Sequence, residues 1–595
     1  MMVSHIFSTL TLAILATRTS AACAPDVPEG FLANFEVLHH TAISKAFEGI
    51  EKLLREPYDG NATRDGLSFA IVHASSPTPV YTFNAGALKF NETSLYQSNA
   101  TENTVTSDSI LRVASVTKNV VMTSALFLSQ LSNHTITLDT PVRQLLPSFH
   151  LPSLDWSDGG SEITLGMLAS HTSGVTRESF STDFNQVLST GKATASHVGD
   201  LWAAQTVQSV IGMAGRTALM YKPGERSAYS NAGIGILGAA IASYYNEIAS
   251  MNLTWSQLAT QELLQPLNMT NSFLGPIPDS MIPFISVPGG DNWADLVVGE
   301  GYNPAAGMWS SANDLSKYIH GVWLQQSPTL ISSSDRRRAL KPVYTLQDGK
   351  QQVGPGWEIG LRTYNVSSHE GDPTSKTYSI YGKSGGGGGW RSWIDVVPNL
   401  GYGLVILSQT AGLQDYETLY PASLYGDVQD ILIPAFAEAL AAEVEKKYAG
   451  AYGSGQDAGI ITDVVSINVT NSTTYARLEV EDQILYMREL VVNGSSALEA
   501  IDRLSWPEDS VGAPYFSRPS GVVLDPAGGA SENADFGDGA QVFSMKAAGE
   551  EQCNWFDYAG YKDQNGWPLT KLVLVENPDG IALHYPPFDI VVKKS

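Results

Sequence analysis

The sequence predicts an α+β fold, an antiparallel sheet flanked by helices plus a helical subdomain, followed by a separate domain of antiparallel strands. Strand patterns at 67–83 and again at 378–409 enclose a middle region, 140–330, in which Gly, Pro and Ser separate mostly helical segments. After Gly450 the sequence changes to short alternating stretches with few helical signals. This order of elements indicates two domains, the second one rich in β-strands.

The composition is that of a globular protein too long for a single core. The chain has 595 residues, of which 43% are apolar and 16% charged. Its 35 Lys and Arg against 60 Asp and Glu give a formal net charge of −25. This balance argues against nucleic acid and against membranes as partners, because both bind basic surfaces. The sequence lacks an H-E-x-x-H motif and a Cys/His cluster, so it predicts no metal and no cofactor.

The N-terminus predicts a signal peptide over residues 1–22. Residues 6–16 are largely apolar, and Thr19, Ser20 and Ala21 supply the small side chains suited to cleavage. A buried N-terminal helix is the alternative, since this stretch has no early Lys or Arg beyond the weakly basic His5. No later run reaches the roughly 20 apolar residues that span a bilayer. We therefore expect a secreted, extracellular protein with domains at 23–445 and 446–595.

Ten N-x-[ST] sequons support a eukaryotic secretory route. The asparagines are Asn61, Asn91, Asn99, Asn133, Asn252, Asn268, Asn365, Asn468, Asn471 and Asn493. The two cysteines, Cys23 and Cys553, could form a disulfide in an oxidising compartment, and two free buried thiols are the alternative.

Four segments in the first half of the chain have clear periodicity. Residues 67–73 and 80–83 predict a strand pair with a Ser-Ser-Pro turn between them. Residues 113–131 have apolar positions near the 3.6-residue period and predict a helix. Residues 233–245 form an apolar, Gly- and Ala-rich stretch, which predicts a helix packed closely on a neighbour.

The second half begins with three strands and a helix. Residues 378–381, 390–397 and 403–409 predict successive strands, and residues 434–448 predict an amphipathic helix beginning at Pro434. Further alternating stretches in the C-terminal domain are 464–469, 475–480 and 580–584.

The strongest chemical signal is Ser115-x-x-Lys118, at the start of the 113–131 helix. Residues i and i+3 share a helix face, so the serine hydroxyl and the lysine amine can meet there. A lysine acts as a base only when burial or a neighbouring cation lowers its pKa, and the apolar helix offers such a setting. A second S-x-x-K, Ser189 to Lys192, lies in a polar stretch and predicts a solvated loop.

Two further segments could complete a site. Tyr229-x-Asn231 follows a turn, and a phenol near lysines loses its proton more easily because positive charge favours phenolate. The Asn231 amide could hold a substrate carbonyl or a lysine. Lys383-Ser384-Gly385 opens a glycine run, where a strand edge can approach a ligand closely and a cation would suit an anionic or carbonyl-bearing substrate.

The set Ser-x-x-Lys, Tyr-x-Asn and Lys-Ser-Gly resembles the serine β-lactamase and penicillin-binding-protein superfamily, particularly its class C β-lactamase and esterase branch. The segments Leu168–Gly174 (LASHTSG), Lys222–Glu225 (KPGE) and Gly307–Ser311 (GMWSS) are also similar to recurring blocks of that superfamily. The resemblance covers roughly residues 35–445 and implies a β-lactamase/transpeptidase-like fold. The start of the C-terminal domain weakly resembles a lipocalin-like appendage of some relatives.

The resemblance implies a role for each motif residue. Ser115 would be the acylated nucleophile, with Lys118 and Tyr229 as the proton-transfer pair. Asn231 would orient the substrate, and Lys383 would support the site electrostatically. Backbone N–H groups of Ser115 and Gly386 would form the oxyanion hole, with Ser384 and Gly385 beside the substrate. Ser384 stands where the lactamases commonly have threonine, and Lys383 where many esterase-like relatives have histidine.

Two other site assignments are weaker. Gly382-x-Ser384-x-Gly386 fits the nucleophile elbow of α/β-hydrolases, but strand and not helix is predicted after it. His171 could be a general base, although within its H-T-S-G segment a hydrogen-bonded structural role is favoured.

The predicted function is acyl transfer through an acyl-Ser115 intermediate, with water as the usual acceptor and a small ester or amide as substrate. The activity would be that of an esterase, amidase, peptidase or β-lactamase-like enzyme. Three alternatives remain: an acyltransferase or hydrolase of secondary-metabolite biosynthesis on the same site, a sensor that is acylated without turnover, and a structural protein with an inactive site. The sequence does not specify the oligomeric state.

Overall fold

A computed structural model describes most of the chain, and its contacts divide it into two compact units. The first unit comprises Val27–Arg362 and Thr377–Val444, and the second comprises Met1–Asp26, Thr363–Lys376 and Glu445–Ser595. The residues that the structure describes are 24–58, 65–90, 103–151, 162–181, 188–191, 198–289, 294–367, 374–410, 420–453, 473–505, 516–528, 536–537, 539–548 and 561–595.

The first unit contains an eight-stranded sheet and a short three-stranded one in the described part of the chain. Its strands are β1 Gly66–His73, β2 Ser76–Ala85, β3 Leu111–Arg112, β4 Phe273–Leu274, β5 Met308–Ser310, β6 Tyr344–Thr345, β7 Gln351–Gly354, β8 Trp357–Asn365, β9 Ser375–Gly387, β10 Trp390–Val397 and β11 Tyr402–Gln409. The large sheet has the order β2-β1-β11-β10-β9-β8-β7-β6, and the small one β3-β5-β4. Strands β1, β2, β9, β10 and β11 pair antiparallel, as predicted.

Helices cover this sheet and form the middle of the unit. They are Glu29–Leu32, Thr41–Arg55, Thr117–Leu131, Val142–Leu145, Leu165–Ala169, Val198–Ala203, Val207–Ala214, Asn231–Ala249, Trp255–Ala259, Asn303–Ala306, Ala312–Tyr318, Ser333–Ala339 and Pro421–Tyr448, the last extending into the second unit. Shorter 3₁₀ turns are Phe35–His39, Glu56–Tyr58, Ala114–Val116, Asp279–Phe284 and Pro398–Leu400, and π-helical turns are Thr260–Leu264 and Ile319–Leu324.

The two helices at 117–131 and 231–249 lie inside the core of the first unit. Both helices are buried on nearly all sides and not on one apolar face alone. The second packs closely on its neighbours, as predicted: a Cβ added at Gly235 would lie 2.4 Å from the Gly301 carbonyl oxygen. Glycine is therefore required there by close approach of backbone.

The last helix of the first unit differs from the prediction. It begins at Pro421 and not at Pro434, which lies in its interior. A proline does occupy the first helical position, as the rule predicts, but this proline is Pro421. Among the described residues no helix is long and apolar enough to cross a membrane.

The second unit is a nearly closed antiparallel barrel. Its strands are β12 Gly450–Gly453, β13 Tyr475–Glu481, β14 Ile484–Val492, β15 Ser495–Ser496, β16 Val522–Gly528, β17 Ala540–Ala547, β18 Lys571–Asn577, β19 Gly580–Tyr585 and β20 Ile590–Lys593, with one helix, Ala497–Ser505, and a 3₁₀ turn, Pro586–Phe588, also described. The sheet runs from β12 through β20 with β15 beside β14, and Tyr452 bridges Lys594 to join its two ends. The predicted strands at 475–480 and 580–584 are present, whereas 464–469 lies outside the described residues.

Two other predictions also fall outside the described residues. They are the signal peptide at 1–22 and the Cys23–Cys553 pairing. Within the second unit, the Ala24 N–H donates to the Ser375 carbonyl at 3.1 Å, and Lys376 pairs with Asp26 at 3.2 Å. The sequence analysis had placed the segment around Ser375 in the first domain.

Candidate active site

A strained turn presents Ser115 at the start of the buried helix. Ala114 has a φ of 45° and so adopts a left-handed conformation, which costs a non-glycine residue roughly 1–2 kcal/mol. Surrounding hydrogen bonds hold the turn: the Val113 N–H donates to Met308 O at 3.1 Å, and the Ser392 hydroxyl donates to Val113 O at 2.7 Å. The position of Ser115 is therefore set by strands β5 and β10.

Lys118 lies one turn further along and is completely buried. Its Nζ donates to Ser115 Oγ at 3.0 Å and to the Ala305 carbonyl at 2.7 Å. The spacing of three residues brings the serine and the lysine together on one helix face. The Ala305 carbonyl then holds the amine against the serine.

Tyr229 contacts the same serine from a remote segment of the chain. It immediately precedes Ser230, which caps the 231–249 helix by accepting a hydrogen bond from the Gly233 N–H at 2.8 Å. The Tyr229 hydroxyl donates to Ser115 Oγ at 2.8 Å. The serine oxygen thus lies between an amine and a phenol.

The charges of Lys118 and Lys383 affect the pKa of the Tyr229 phenol, and the charge of Lys383 also affects the pKa of the Lys118 amine. The Lys118 Nζ lies 4.9 Å from the Tyr229 ring centre, and Lys383 Nζ lies 5.5 Å from it. Burial alone would raise the pKa of Tyr229, but the two cations outweigh it and hold that pKa below its ordinary value. Burial, aided by the charge of Lys383, also lowers the pKa of Lys118. Both groups therefore lose a proton more readily than the corresponding free side chains do.

His171 supports Tyr229 and does not touch Ser115. Its Nδ1 accepts the Ser230 N–H at 3.1 Å, and its ring lies 4.5 Å from that of Tyr229. Burial and the cations of Lys118, Lys383 and Arg177 lower its pKa well below the ordinary value. It is neutral and held by its backbone contact, the arrangement of a structural histidine.

Strand β9 forms the wall facing the serine turn. A Cβ added at Gly385 would lie 2.2 Å from the Val113 carbonyl oxygen and 3.1 Å from the Ser115 nitrogen. Only glycine lets the strand come this close. Gly386 follows at the rim of the cleft, so the Lys-Ser-Gly segment meets the serine turn. Strand β10 follows the glycines where an elbow would need a helix.

Lys383 is 2% exposed and pairs with Glu358 of strand β8. Burial lowers the pKa of Lys383, but the charges of Glu358 and Tyr229 and the hydrogen bond to Glu358 together outweigh it and raise that pKa, so the lysine remains a cation. The sequence analysis missed Glu358. It alternates with the buried Trp357 and Ile359 and has the pattern of an ordinary solvent-facing strand residue.

Asn231 contacts an acidic partner that the sequence analysis also missed. Its Nδ2 donates to Glu178 Oε1 at 2.8 Å, and the Tyr302 hydroxyl donates to Glu178 Oε2 at 2.9 Å. The buried Oδ1 of Asn231 has no hydrogen-bond partner among the described residues. The amide thus retains an oxygen that can accept a hydrogen bond, and its NH2 group has a second hydrogen beyond the one donated to Glu178.

These groups line one cleft of about 630 Å³. Its lining residues are Ser115, Arg177, Glu178, Phe180, Trp202, Tyr229, Asn231, Glu358, Ser384, Gly385 and Gly386. The aromatic surface comes from Phe180, Trp202 and Tyr229. The tryptophans Trp309, Trp357, Trp390 and Trp393 are core residues. Among the described residues, no group of three or more His, Asp, Glu or Cys side chains is arranged to hold a metal.

The known proteins to which this chain is similar include some named as β-lactamase-like proteins and some named as D-alanine carboxypeptidases. The chain is 24% identical to beta-lactamase-like protein 2 of Dictyostelium discoideum, over 70% of this chain and 67% of that protein. It is 24% identical to the D-alanyl-D-alanine-carboxypeptidase/endopeptidase AmpH of Escherichia coli K12, over 52% of this chain and 74% of that protein. A crystal structure of a β-lactamase/D-alanine carboxypeptidase from Yersinia pestis, complexed with citrate, aligns over 67% of this chain and all of that one. That alignment has 18% identity and a TM-score of 0.48.

The sequence profile of the Beta-lactamase family matches residues 56–424, which include every motif residue described above. The match spans more than half of the chain and confirms the resemblance seen in the motifs. The chain belongs to the beta-lactamase family, within the superfamily of serine β-lactamases and penicillin-binding proteins.

Proposed function

We propose that the protein is a secreted serine hydrolase that acts by acyl transfer through an acyl-Ser115 intermediate on a small ester or amide. The observation that carries this proposal is the position of Ser115 Oγ, 3.0 Å from Lys118 Nζ and 2.8 Å from Tyr229 Oη. A serine hydroxyl needs a neighbouring base to become a nucleophile, and both neighbours have lowered pKa values.

In the first half-reaction the Lys118–Tyr229 pair takes the Ser115 proton as Oγ bonds to the substrate carbonyl carbon. The carbonyl electron pair moves to its oxygen, where the N–H groups of Ser115 and Gly386 bind the developing charge. The intermediate collapses, the bond to the alcohol or amine breaks, and that group leaves with the proton. In the second half-reaction water attacks the acyl-serine in the same way, which releases the acid and returns the proton to Ser115.

The test combines intact-protein mass spectrometry after a fluorophosphonate probe with turnover of p-nitrophenyl esters and nitrocefin. We expect a single adduct and ester turnover in the wild type, both lost in Ser115→Ala. Ser189→Ala, from the second S-x-x-K, is the matched control and keeps both. An adduct without turnover would favour the acyltransferase or sensor alternative. A folded wild type that forms no adduct would overturn the proposal.

A further inference from the structure

The carboxylate of Glu358 receives several hydrogen bonds from the Lys-Ser-Gly segment. Lys383 Nζ and the Ser384 hydroxyl both donate to its Oε1, the latter at 3.0 Å. The Ser384 backbone N–H donates to its Oε2 at 3.3 Å. A cation, a hydroxyl and an amide thus converge on one carboxylate, an arrangement well suited to binding an anion.

The groups that could bind a substrate anion at this wall are thus occupied by the protein itself. Lys383 is 2% exposed, whereas the Glu358 side chain is 39% exposed and lines the cleft. The charge presented to a ligand at this point is therefore negative, although the sequence motif supplies a lysine.

The other charges of the cleft do not reverse this sign. Glu178 adds a second carboxylate to the lining, and the Arg177 guanidinium lies 3.5 Å from it. Lys118 is buried behind Ser115 and is held by the Ala305 carbonyl. Glu358 is therefore the partly exposed charged group in direct contact with Ser384.

We infer that Glu358 is a specificity-determining residue: it selects acyl substrates that are neutral or cationic beside Ser384 and disfavours those with a carboxylate there. The inference rests on the proposed function. A substrate carboxylate would have to displace Glu358 from Lys383 and would leave two like charges close together in a partly buried site, which is unfavourable. The inference departs from the expectation that a cation at Lys383 would suit an anionic substrate, and it leaves the carbonyl-bearing alternative open.

The test uses two aryl esters of phenylacetylglycine that differ at one position of the leaving group: a meta-carboxylate in one and a meta-carboxamide in the other. We expect the wild type to prefer the carboxamide ester in kcat/KM by about tenfold or more, a difference of one ionic contact in a partly buried site. Glu358→Gln should remove most of this preference, chiefly by lowering KM for the carboxylate ester, because glutamine keeps an acceptor oxygen for Lys383 and the Ser384 hydroxyl without the charge.

Glu178→Gln is the matched control, since it removes the same charge from the same cleft without touching Lys383. It should change the carboxylate-to-carboxamide ratio much less than Glu358→Gln does. If Glu358 only maintained Lys383 as a cation, Glu358→Gln would lower kcat for both esters equally and leave their ratio unchanged. That result would overturn the inference.

A second measurement does not depend on turnover. The dissociation constants of 3-carboxyphenylboronic acid and 3-carbamoylphenylboronic acid, which form a reversible B–O bond with an active serine, should show the same preference and its loss in Glu358→Gln. Equal binding of the two boronates by the wild type would overturn the inference alone. Binding of neither, together with no fluorophosphonate adduct, would overturn the proposed function and the inference with it.

Discussion

The Tyr229 hydroxyl lies 2.8 Å from Ser115 Oγ, although 114 positions separate the two residues in the chain. Each stands just before or within the start of a helix, at 117–131 and 231–249, and the two helices pack against each other in the core. The distance between the hydroxyls is therefore fixed by helix packing and not by a flexible loop. This rigidity makes the roles of single atoms at the site separable by mutation.

Removing the Tyr229 hydroxyl should reduce catalysis while preserving the ring. Tyr229→Phe loses the hydrogen bond to Ser115 and the proton acceptor, so we expect kcat/KM for p-nitrophenyl esters to fall by about 10²–10⁴-fold. Tyr244→Phe is the control, because Tyr244 belongs to the chain's other Tyr-x-Asn and packs against the core. Similar activity of Tyr229→Phe and wild type would remove Tyr229 from the mechanism.

The pH dependence of activity should respond to Lys383. Its charge lowers the pKa of both Lys118 and Tyr229, because a cation disfavours an added proton nearby. In Lys383→Gln both pKa values rise, so the ascending limb of kcat/KM moves to higher pH. The measurement is a pH–rate profile, with Lys52→Gln on an exposed helix surface as the control. A limb that stays in place would mean that neither group is the base.

A methyl group at position 385 should separate the wall from the serine turn. The Cβ of Gly385→Ala would lie 2.2 Å from the Val113 carbonyl oxygen and 2.3 Å from Ser392 Oγ, so strand or turn must move. We expect kcat to fall by about 10²–10³-fold, the usual effect of losing one oxyanion donor. Gly30→Ala, where an added Cβ meets nothing within 4 Å, is the control. Full activity in a folded Gly385→Ala variant would contradict the assigned wall.

Stability should fall with rising pH because of Asp395, a buried carboxyl that accepts hydrogen bonds from Trp393 and Gln429. Burial raises its pKa to about 7 from 3.8. In the folded state Asp395 therefore keeps its proton up to about pH 7, whereas in the unfolded chain it loses the proton near pH 4. The contribution of the protonated carboxyl to the free energy of unfolding is complete below about pH 4. It is lost as the pH rises to about 7. The loss is at most about 4 kcal/mol.

Thermal unfolding of Asp395→Asn and wild type across pH 4–8 tests this contribution. The variant should gain stability relative to wild type as pH rises. The comparison is needed because His73 has the opposite effect: burial and nearby His320 lower its pKa to about 4, so its contribution falls as pH drops below 6.5. A constant difference between the two proteins would show that Asp395 is ionised in the folded state.

Glycosylation should occur at sequons that the fold leaves accessible. All five described sequon asparagines are exposed: Asn133, Asn252, Asn268, Asn365 and Asn493. Protein secreted from a yeast host should therefore lose mass on treatment with peptide N-glycosidase, and Asn→Gln variants at these positions should lose it site by site. An unchanged mass would argue against the secretory route that we propose.

The sequence was most informative where chemistry and local geometry coincide. Ser115 and Lys118 could be paired because three residues of helix bring them to one face. Glu358 and Glu178 could not be found, because an acidic residue in an amphipathic strand or loop has the pattern of any solvated position, and their partners come from remote segments. The start of the last helix of the first unit was misplaced because two prolines, Pro421 and Pro434, satisfy the same rule and only tertiary packing chooses between them.

The chain crosses between its two units at four places, after Asp26, Arg362, Lys376 and Val444. Within the second unit, Ser367 donates to the Asp482 carboxylate at 3.1 Å. On the ribosome, therefore, the segment Thr363–Lys376 is synthesised well before the barrel strands that complete its unit. A genetic exchange that replaced only Glu445–Ser595 would take away those partners. The second unit is therefore discontinuous in the chain, and its C-terminal stretch alone lacks these contacts.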